Sequence, residues 1–396
     1  MKMLLITSSF PNDKSIGGVF IPDTIRTLNS LGVQVHVLTQ NCDGSDSITK
    51  TLWDGCSITY FGWRGGDIPL VELMRRRIFG IPLAFQYFIN GYLSGKTICR
   101  HWPPDIILAE WLIPSGLIAA IISKFTNIPY CCRGLGSDVY LASKNSLIRP
   151  FIKYVARNSA YLFADGFDLC RKTSALADGK ECYFAATARK LENKKSDFLH
   201  LDDTGLFFTF CSIGRLHRVK GFDFLIKACS LLQKKNINFR CYIVGEGEEK
   251  EALENLIKSS DLDKNVILTG RLEDGDISDL FRHVDCIVIP SLSESIPLVL
   301  SEGVNANKPF IVTNVGDMGY LAEKYKLGYV VEKENYNDLA EALIKMSNVK
   351  IRASFYDKHN YDELSSILSP DSGAKAIYEK IKELKSVYSP AADTAA

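Results

Sequence analysis

Short apolar runs alternate with longer amphipathic stretches along almost the whole chain, and this alternation limits the possible folds more than any other feature. In the first half, strand-length runs such as 3–7, 33–39 and 106–109 are separated by helix-length stretches such as 22–31 and 115–125. Strands that alternate with helices are typical of parallel sheets with helical crossovers. The pattern therefore predicts an α/β fold built from doubly wound parallel sheets.

A polar, charged segment at 191–204 separates two such alternating series. It has no periodic apolar face, so we interpret it as a linker. A chain of 396 residues is also too long for one hydrophobic core. We predict two Rossmann-like domains that face each other across a cleft, at 1–195 and 205–368. A C-terminal helix at 369–388 is expected to return to the N-terminal domain, followed by a tail at 389–396.

Composition excludes several classes of function. Hydrophobic residues make up 46% of the chain, far more than in disordered proteins. Lys and Arg total 47 against 46 Asp and Glu, so no global basic field indicates a nucleic-acid partner. Any anion must therefore be bound by a local group of cations.

The eleven cysteines are spread over the chain and form no C-x-x-C pair. Several lie inside apolar strand-like runs, so we predict reduced thiols, most of them small buried residues, in a cytoplasmic protein. The first residues form a strand-like run that is too short for a secretory signal. None of the six histidines has the spacing of a metal ligand, and we expect no metal site.

The most membrane-like stretch is Arg75–Leu93, where three arginines precede an apolar run. Pro82, Gln86 and Asn90 interrupt the run, and it falls short of the roughly 20 apolar residues that a spanning helix needs. Two interpretations remain. The stretch could rest on an anionic lipid surface, or it could form an ordinary helix packed on the N-terminal domain.

Two cations lie where the second domain would bind a ligand. A strand is predicted to end at Gly214 and a helix to begin near Gly221, which places Arg215 and Lys220 in the loop at the carboxyl end of the strand. Open α/β sheets bind their ligands at this edge, and glycines allow a phosphate to approach the backbone. The loop is a candidate anion site, and the alternative is an ordinary solvated loop.

Two carboxylates follow a later strand of the same domain. Pro297 is predicted to be the first residue of a helix that continues to about Asn305, so Glu294 precedes the helix and Glu302 lies within it. A glycosidase usually takes its two carboxyl groups from separate elements that face each other across a bond. A pair from one short segment fits the binding of one extended ligand better.

The start of the same helix offers backbone donors. The amides of Ser295, Ile296 and Leu298 are expected to be free of helical hydrogen bonds and to face the same place. Together with the positive end of the helix, they could bind a diphosphate or sugar hydroxyls without a metal. Another glycine pair, Gly245 and Gly247, follows a strand, but three nearby glutamates favour a strand-to-helix turn over a phosphate loop.

Five blocks in this order resemble the donor-binding half of retaining family 4 glycosyltransferases of the GT-B fold. They are GRLHRVKG, IVGEGEEKEAL, ILTGRL, DCIVIPSLSESIPLVLSEG and FIVTNVG, between Cys211 and about Tyr329, with seven residues between the two glutamates. The N-terminal half resembles the same family more loosely, in the segment around Gly17 and Gly18 and in LAEWLIPSGLIAAII and CCRGLGSDVY.

The resemblance implies a role for each matching residue. Arg215 and Lys220 would hold the donor diphosphate and stabilise its charge as the bond breaks. Glu302 would bind the ribose hydroxyls, and Glu294 would contact hydroxyls of the transferred sugar. The backbone of Gly17 and Gly18 would contact the donor from the other domain. No cofactor or metal is implied, and the nucleotide sugar is a substrate.

The chain also departs from the family pattern. Many relatives carry a histidine where Arg133 stands, and an arginine cannot act as a general base. Arg133 could bind an anionic acceptor or the donor phosphate, or it could form a structural pair with Asp138, which we include among the candidate substrate-binding residues. The segment from Tyr183 to Arg189 lacks the Asn-Gly turn that is usual before the linker.

The leading hypothesis is a retaining glycosyltransferase that moves a hexose from a nucleotide sugar to a glycan or lipid-linked glycan in surface polysaccharide biosynthesis. A nucleotide-sugar epimerase or a phosphorylase of the same architecture is a second possibility. A non-catalytic nucleotide- or sugar-binding subunit of a glycan assembly complex is a third. The intact set of Arg215, Lys220, Glu294 and Glu302 favours the enzyme.

Overall fold

A computed structural model of the chain describes residues 1–11, 17–41, 48–51, 56–65, 77–191 and 207–388. The chain divides into two compact units. The first comprises Met1–Thr187 and the chain from Pro370, and the second comprises Ala188–Ser369. The division after Thr187 falls a few residues before the boundary at residue 195 that the sequence suggests.

The first unit contains an eight-stranded sheet in the order β3-β4-β2-β1-β5-β6-β7-β8. All neighbouring strands are parallel except β3 and β4, which pair antiparallel. The strands are β1 Lys2–Ile6, β2 Gln34–Asn41, β3 Ile48–Thr51, β4 Ser57–Gly62, β5 Ile106–Glu110, β6 Tyr130–Gly134, β7 Leu162–Ala164 and β8 Cys182–Phe184.

Helices cover the faces of this sheet, and α2 packs on α3, which in turn packs on α5. The helices before the linker are α1 Ile21–Ser30, α2 Arg77–His101, α3 Ser115–Thr126, α4 Ser137–Lys144, α5 Arg149–Asn158 and α6 Phe167–Leu176. Glycines allow the close packing of α2, because a Cβ atom at Gly91 would lie 2.6 Å from Ile118 and one at Gly95 would lie 2.4 Å from Ile122.

The second unit contains a six-stranded parallel sheet in the order β11-β10-β9-β12-β13-β14. Its strands are β9 Phe208–Ile213, β10 Phe239–Val244, β11 Val266–Gly270, β12 Cys286–Ile289, β13 Phe310–Thr313 and β14 Gly328–Val331. Its helices are α7 Phe222–Lys234, α8 Lys250–Ser259, α9 Asp274–His283, α10 Leu298–Asn305, α11 Met318–Lys324, α12 Tyr336–Ser347, α13 Val349–Ala353 and α14 Lys358–Ile367.

Local sequence signals account for several of these helix boundaries. The side chain of Asn335 accepts hydrogen bonds from the amides of Asn337 and Asp338 and so caps α12. Glu273 and Asp276 form a reciprocal capping box at the start of α9. Such caps satisfy amides that have no partner inside the helix.

The last helix, α15 Pro370–Tyr388, belongs to the first unit and packs on α1, so the predicted return of the C-terminal helix is confirmed. Thr27 donates a hydrogen bond to Asp371 at 2.6 Å. A Cβ atom at Gly373 would lie 2.1 Å from the carbonyl oxygen of Ala186, so a glycine is needed where the helix meets the chain. The helix therefore docks by direct backbone contact.

The strands supply the centre of each core, as the apolar runs predict. Strand β1 is almost fully buried, and Phe210 and Phe239 stack within the second core. Eight of the ten described cysteines are buried, which fits the predicted role of most of them as small core residues. The predicted α/β class, with a doubly wound, mainly parallel sheet in each unit, is confirmed. No helix in the described ranges is long and apolar enough to span a bilayer.

Candidate functional site

The strand order of the second sheet reverses between β9 and β12. The chain moves outward from β9 through β10 to β11, and then returns to β12 on the other side of β9. Loops that leave the carboxyl ends of such neighbouring strands form a crevice, which is where open α/β sheets bind their ligands. These loops contain Arg215 and Lys220 after β9, and Glu294 after β12.

The loop after β9 folds back over the end of its own strand. Residues Arg218–Lys220 form one short 3-10 turn, and His217 caps it by accepting a hydrogen bond from the amide of Val219. The stem of Lys220 then lies over Gly214, where a Cβ atom would be 3.4 Å from the side chain. Lys220 therefore holds its ammonium group near the carboxyl end of β9.

Glycines bring three loops into backbone contact. Gly221 has a φ of +68°, and a Cβ atom there would lie 2.1 Å from the carbonyl oxygen of Pro290 after β12. Gly316, after β13, has a φ of +56°, and a Cβ atom there would lie 2.2 Å from the carbonyl oxygen of Glu294. Both positions need the left-handed conformation and the missing side chain of glycine. The backbone around Glu294 is thus fixed from two sides.

Glu294 forms an ion pair with Lys220, and both side chains are largely buried. The hydroxyl of Ser291 also donates to Glu294, at 3.2 Å. Arg215 is exposed and lies in the same loop as Lys220. The structure therefore brings Lys220 and Glu294 together, and a common binding role for Arg215, Lys220 and Glu294 stays a prediction.

Helix α10 begins at Leu298, and Pro297 is its N-cap, in an extended conformation. The prediction that Pro297 is the first helical residue was therefore wrong by one position, because its ψ of 147° is not helical. The amides of Ser295, Ile296 and Leu298 donate to no described residue. The hydroxyl of Ser295 is buried and also lacks a partner within the described part of the chain.

Glu302 lies inside α10 and is buried, with 4% of its surface exposed. Arg189 donates to its carboxylate through Nε at 2.6 Å, and the same guanidinium donates to Asp274 at 2.7 Å. Burial raises the pKa of Glu302, and the nearby Arg189 opposes that rise. Arg189 was not predicted as a site residue, because no local pattern links it to a glutamate more than a hundred positions away.

Arg133 differs from both sequence interpretations. Its side chain is 0% exposed and forms an ion pair with Glu110, which is also 0% exposed. Two of its nitrogens bind Glu110, at 2.8 and 2.6 Å, and a third donates to the carbonyl of Ala186. The predicted pair with Asp138 was therefore wrong, because Glu110 stands opposite Arg133 in the β5–β6 pairing. A guanidinium bound in this way has no open face for a substrate.

Asp138 binds backbone amides instead of a cation. Its carboxylate accepts hydrogen bonds from the amides of Leu112, Leu135 and Val139. Burial raises the pKa of Asp138, and these amides partly offset the rise. The residue thus holds two loops of the first unit together, and a direct contact with substrate stays a prediction.

Gly18 forms a tight turn before α1. Its φ is +74°, and a Cβ atom there would lie 2.4 Å from the carbonyl oxygen of Ser9. Gly17 lies in the same turn. The structure thus explains the glycine at position 18 locally, and the predicted contact of both glycines with a donor remains a prediction.

The glycine pair after β10 has a structural purpose. A Cβ atom at Gly245 would lie 2.0 Å from the carbonyl oxygen of Gly214, and one at Gly247 would lie 2.3 Å from that of Leu216. Both glycines therefore allow this turn to pack on the loop that carries Arg215. Within the described ranges, no cluster of His, Cys, Asp or Glu could hold a metal ion.

The sequence of the second unit matches a known protein family. Residues 203–360 match the family model described as Glycosyl transferases group 1. The match includes the loops after β9, β12 and β13, and therefore Arg215, Lys220, Asp274, Glu294 and Glu302, but not Arg189.

Relatives match along nearly the whole chain. A glycosyltransferase of Methanocaldococcus jannaschii, named uncharacterized, is 26% identical over 97% of this chain and 99% of its own length. The glycosyltransferase TuaC of Bacillus subtilis is also 26% identical, over 96% of this chain and 98% of its own length. Its name assigns it to teichuronic acid biosynthesis.

Solved structures show the same fold. The Anabaena protein HepE, solved in complex with UDP and glucose, superposes with a TM-score of 0.71 at 16% identity. The superposition covers 97% of this chain and 100% of that protein. The superposition shows the GT-B fold. The sequence matches identify the chain as a glycosyltransferase and support its assignment to group 1. The names favour a transferase over the epimerase and the non-catalytic subunit considered above.

Proposed function

We propose that this enzyme is a retaining family 4 glycosyltransferase that moves a hexose from a nucleotide sugar to a glycan or lipid-linked glycan acceptor. The observation that carries the proposal is the ion pair of Lys220 and Glu294 at the point where the strand order reverses. The exposed Arg215 lies in the same loop as Lys220, and the amides of Ser295, Ile296 and Leu298 donate to no described residue. Cations and free amides at one edge of a parallel sheet suit a diphosphate.

In this proposal, Arg215 and Lys220 bind the donor diphosphate. Negative charge grows on the diphosphate as its bond to the sugar breaks, and fixed cations stabilise that charge without reorganisation. The amides of Ser295, Ile296 and Leu298 add backbone donors at the positive end of α10. These groups suffice for leaving-group stabilisation, so we propose that no metal or other cofactor takes part.

The two carboxylates are proposed to bind hydroxyl groups. Glu302 accepts the ribose hydroxyls of the nucleotide, and Glu294 contacts hydroxyls of the transferred sugar. Each carboxylate already has its own cation, Arg189 for Glu302 and Lys220 for Glu294. Once Lys220 binds the diphosphate, Glu294 can accept hydrogen bonds from the sugar hydroxyls, and we propose a mechanism based on positioning rather than on a covalent intermediate.

We also propose a place for the reaction. The name of the Bacillus relative, teichuronic acid biosynthesis, supports a role in surface polysaccharide biosynthesis. A lipid-linked acceptor requires work at a membrane, so we propose a cytoplasmic enzyme that is peripheral on the inner face of the cell membrane through Arg75–Leu93. Arg75 and Arg76 lie outside the described residues. UDP is the first nucleotide to test, because HepE was solved with it.

A thermal-shift screen tests the donor site, because a ligand that binds only the folded state raises Tm. The wild-type protein is heated with UDP, ADP, GDP, CDP and dTDP, without added metal. We expect one diphosphate to raise Tm, and the shift to disappear in Lys220→Ala and Glu302→Ala. Lys227→Ala is the matched control, since Lys227 pairs with Asp223 on the exposed side of α7.

Transfer is then measured with the sugar nucleotide of the selected base and membrane-extracted glycolipids as acceptors. We expect Lys220→Ala and Glu294→Ala to lose turnover while they keep the fold, and Lys227→Ala to retain it. A screen in which no diphosphate shifts Tm, or in which Lys220→Ala shifts like the wild type, would refute the donor assignment.

A further inference from the structure

Helix α2 is apolar on two opposite sides. Its inner side, which includes Ala84, Tyr87 and Gly91, is buried against the sheet and α3. Its outer side carries Ile81, Phe85, Ile89 and Leu93, which are 48 to 67% exposed. These four residues recur at every fourth position and so form one stripe about 18 Å long. A helix that is apolar all round is normally buried all round, and here the described residues leave one side open.

The stripe continues onto the neighbouring helices. Phe125 of α3 is exposed and contacts the ring of Tyr92 on α2. On α5, Phe151 and Tyr154 are exposed, while Ile152 and Val155 are buried. Among the residues that the structure describes, seven of the sixteen exposed large apolar side chains therefore lie on these three adjacent helices. We call the outer side of α2, α3 and α5 the outer face.

The charge of the outer face has one sign. Helices α2, α3 and α5 contain no Asp or Glu, although the whole chain is nearly neutral. Their described cationic side chains are Lys96, Arg100, Lys124, Arg149, Lys153 and Arg157. Arg157 also pairs with Asp178, which lies after α6.

Three of these cations form a basic recess. Arg149, Lys153 and Arg157 follow one another at intervals of four on α5 and line a shallow cavity of about 430 Å³ together with Tyr154. Tyr154, an aromatic residue of this lining, is exposed. Basic and aromatic side chains are enriched at membrane–water interfaces, where the cations bind lipid phosphates and the rings contact the ends of the acyl chains.

We propose that the outer face of α2, α3 and α5 docks on the surface of an anionic phospholipid bilayer. The apolar stripe enters the boundary between headgroups and acyl chains, and the basic residues bind the lipid phosphates. The proposal extends the membrane contact of Arg75–Leu93 to a surface of three helices. It rests on the proposed function, because a lipid-linked acceptor brings its transferase to the membrane.

Vesicle co-sedimentation of the full chain tests this proposal. The two kinds of vesicle contain phosphatidylcholine alone, or phosphatidylcholine with about one third phosphatidylglycerol to supply negative charge. We expect binding to the anionic vesicles that weakens as salt is added. The variant Lys96→Ala/Arg149→Ala should lower the partition coefficient about five-fold for each cation removed. The variant Phe85→Ser/Leu93→Ser should lower it roughly 10- to 100-fold at any salt concentration.

The matched control is Val349→Ser/Ile351→Ser, which changes two exposed apolar residues of the second unit and should bind like the wild type. Absence of vesicle binding, or equal binding by the outer-face variants and the wild type, would overturn the proposal. A wild-type dimer that becomes a monomer in Phe85→Ser/Leu93→Ser would also overturn it, because a second copy would then cover the stripe.

The same protein samples are tested for the nucleotide-dependent shift in Tm. A wild-type protein that shows the nucleotide-dependent shift but does not bind vesicles would reject the docking surface and leave the proposed function standing. Vesicle binding without any nucleotide shift would instead reject the proposed function and leave the surface.

A separate observation concerns Arg189. This residue follows directly on the point where the chain enters the second unit, and its guanidinium binds both Glu302 and Asp274. The side chain is 15% exposed, so the contacts form in a partly dehydrated place. Cys211 lies near enough to sense the charge of Glu302. Among the described residues, Arg189 and Asp274 are the charged groups that act on the pKa of this carboxylate.

The geometry assigns Arg189 as a positioning residue that keeps the buried Glu302 ionised and oriented toward the ribose. This second inference also rests on the proposed function. Because burial raises the pKa of Glu302 and Arg189 opposes the rise, loss of Arg189 should raise that pKa further. Nucleotide binding that needs the carboxylate should then fail at a higher pH than in the wild type.

The test measures the Kd of the selected nucleoside diphosphate across pH. We expect Arg189→Gln to weaken binding about ten-fold near pH 7 and to move the acidic loss of binding to higher pH. Arg189→Lys should partly restore both. Asp274→Asn should move the acidic loss to lower pH, because the Asp274 charge itself raises the pKa of Glu302.

In turnover assays, Arg189→Gln should raise KM for the donor far more than it lowers kcat. Arg282→Gln is the control, since Arg282 pairs with Asp279 at the surface of the same unit. An unchanged pH profile in both Arg189→Gln and Asp274→Asn would overturn the assignment and leave Arg189 a merely structural residue.

Discussion

The buried ion pair of Arg133 and Glu110 allows a quantitative test of the first unit. Both side chains are 0% exposed, so removal of either leaves a charge in the core without its partner. Breaking such a pair from one side costs about 3–5 kcal/mol, whereas an apolar replacement of both partners is often neutral or stabilising. We therefore expect Arg133→Met and Glu110→Met each to cost about 3–5 kcal/mol, and the double variant to cost much less than either.

Thermal and urea unfolding of the four proteins measure this cycle. For a unit of this size, 1 kcal/mol corresponds to about 2–4 °C in Tm, so each single variant should lose roughly 6–20 °C. The double variant should recover most of that loss, with a small deficit from the carbonyl of Ala186, which loses its donor.

Two results would refute the reasoning. Single variants within about 1 kcal/mol of the wild type would show that water or local movement satisfies the remaining charge. Single variants that keep full stability but lose transfer would show that Arg133 serves the substrate after all.

Three further predictions concern the site and its support. Glu294→Gln should tighten the binding of the free diphosphate roughly five-fold, because the charged hydrogen bond from Lys220 to residue 294 no longer competes with the phosphate. The same variant should lose transfer. Calorimetry measures the first effect and turnover assays the second. Gly316→Ala should lower the free energy of unfolding by about 1–3 kcal/mol and reduce transfer, because the φ of residue 316 is positive and the new Cβ would clash with the backbone of Glu294. Urea unfolding measures the loss of stability. Burial lowers the pKa of His36 below its ordinary value of 6.5, so protonation favours the unfolded chain and stability should fall as the pH falls below 6.5. His36→Gln should lack this dependence in Tm scans.

The loops after β9 and β12 could be predicted from sequence because their signals are local. Strand ends, glycines and the proline before α10 define where Arg215, Lys220 and Glu294 lie along the chain. The parallel topology then brings the carboxyl ends of β9 and β12 together without further information. Only the pairing of Lys220 with Glu294 was not foreseen.

Ion pairs between residues far apart in the chain could not be predicted from the sequence. The predicted strand β5 stopped at Ala109, one residue too early, and so left out Glu110, which the register places opposite Arg133. A correct strand end would have offered Glu110 as a partner. Arg189 gave no such signal, since it precedes the predicted linker and contacts Glu302 only through the packing of α10.

The candidate binding residues of the two units differ in the partners of their charged groups. In the first unit, Arg133 pairs with the buried Glu110, and Asp138 accepts hydrogen bonds from backbone amides. In the second unit, Arg215 is exposed, and the proposed function requires Lys220 to exchange Glu294 for a phosphate. On that proposal, the diphosphate binds to the second unit. An acceptor held near Arg133 and Asp138 would have to be recognised mainly through neutral groups, as the hydroxyls of a glycan are.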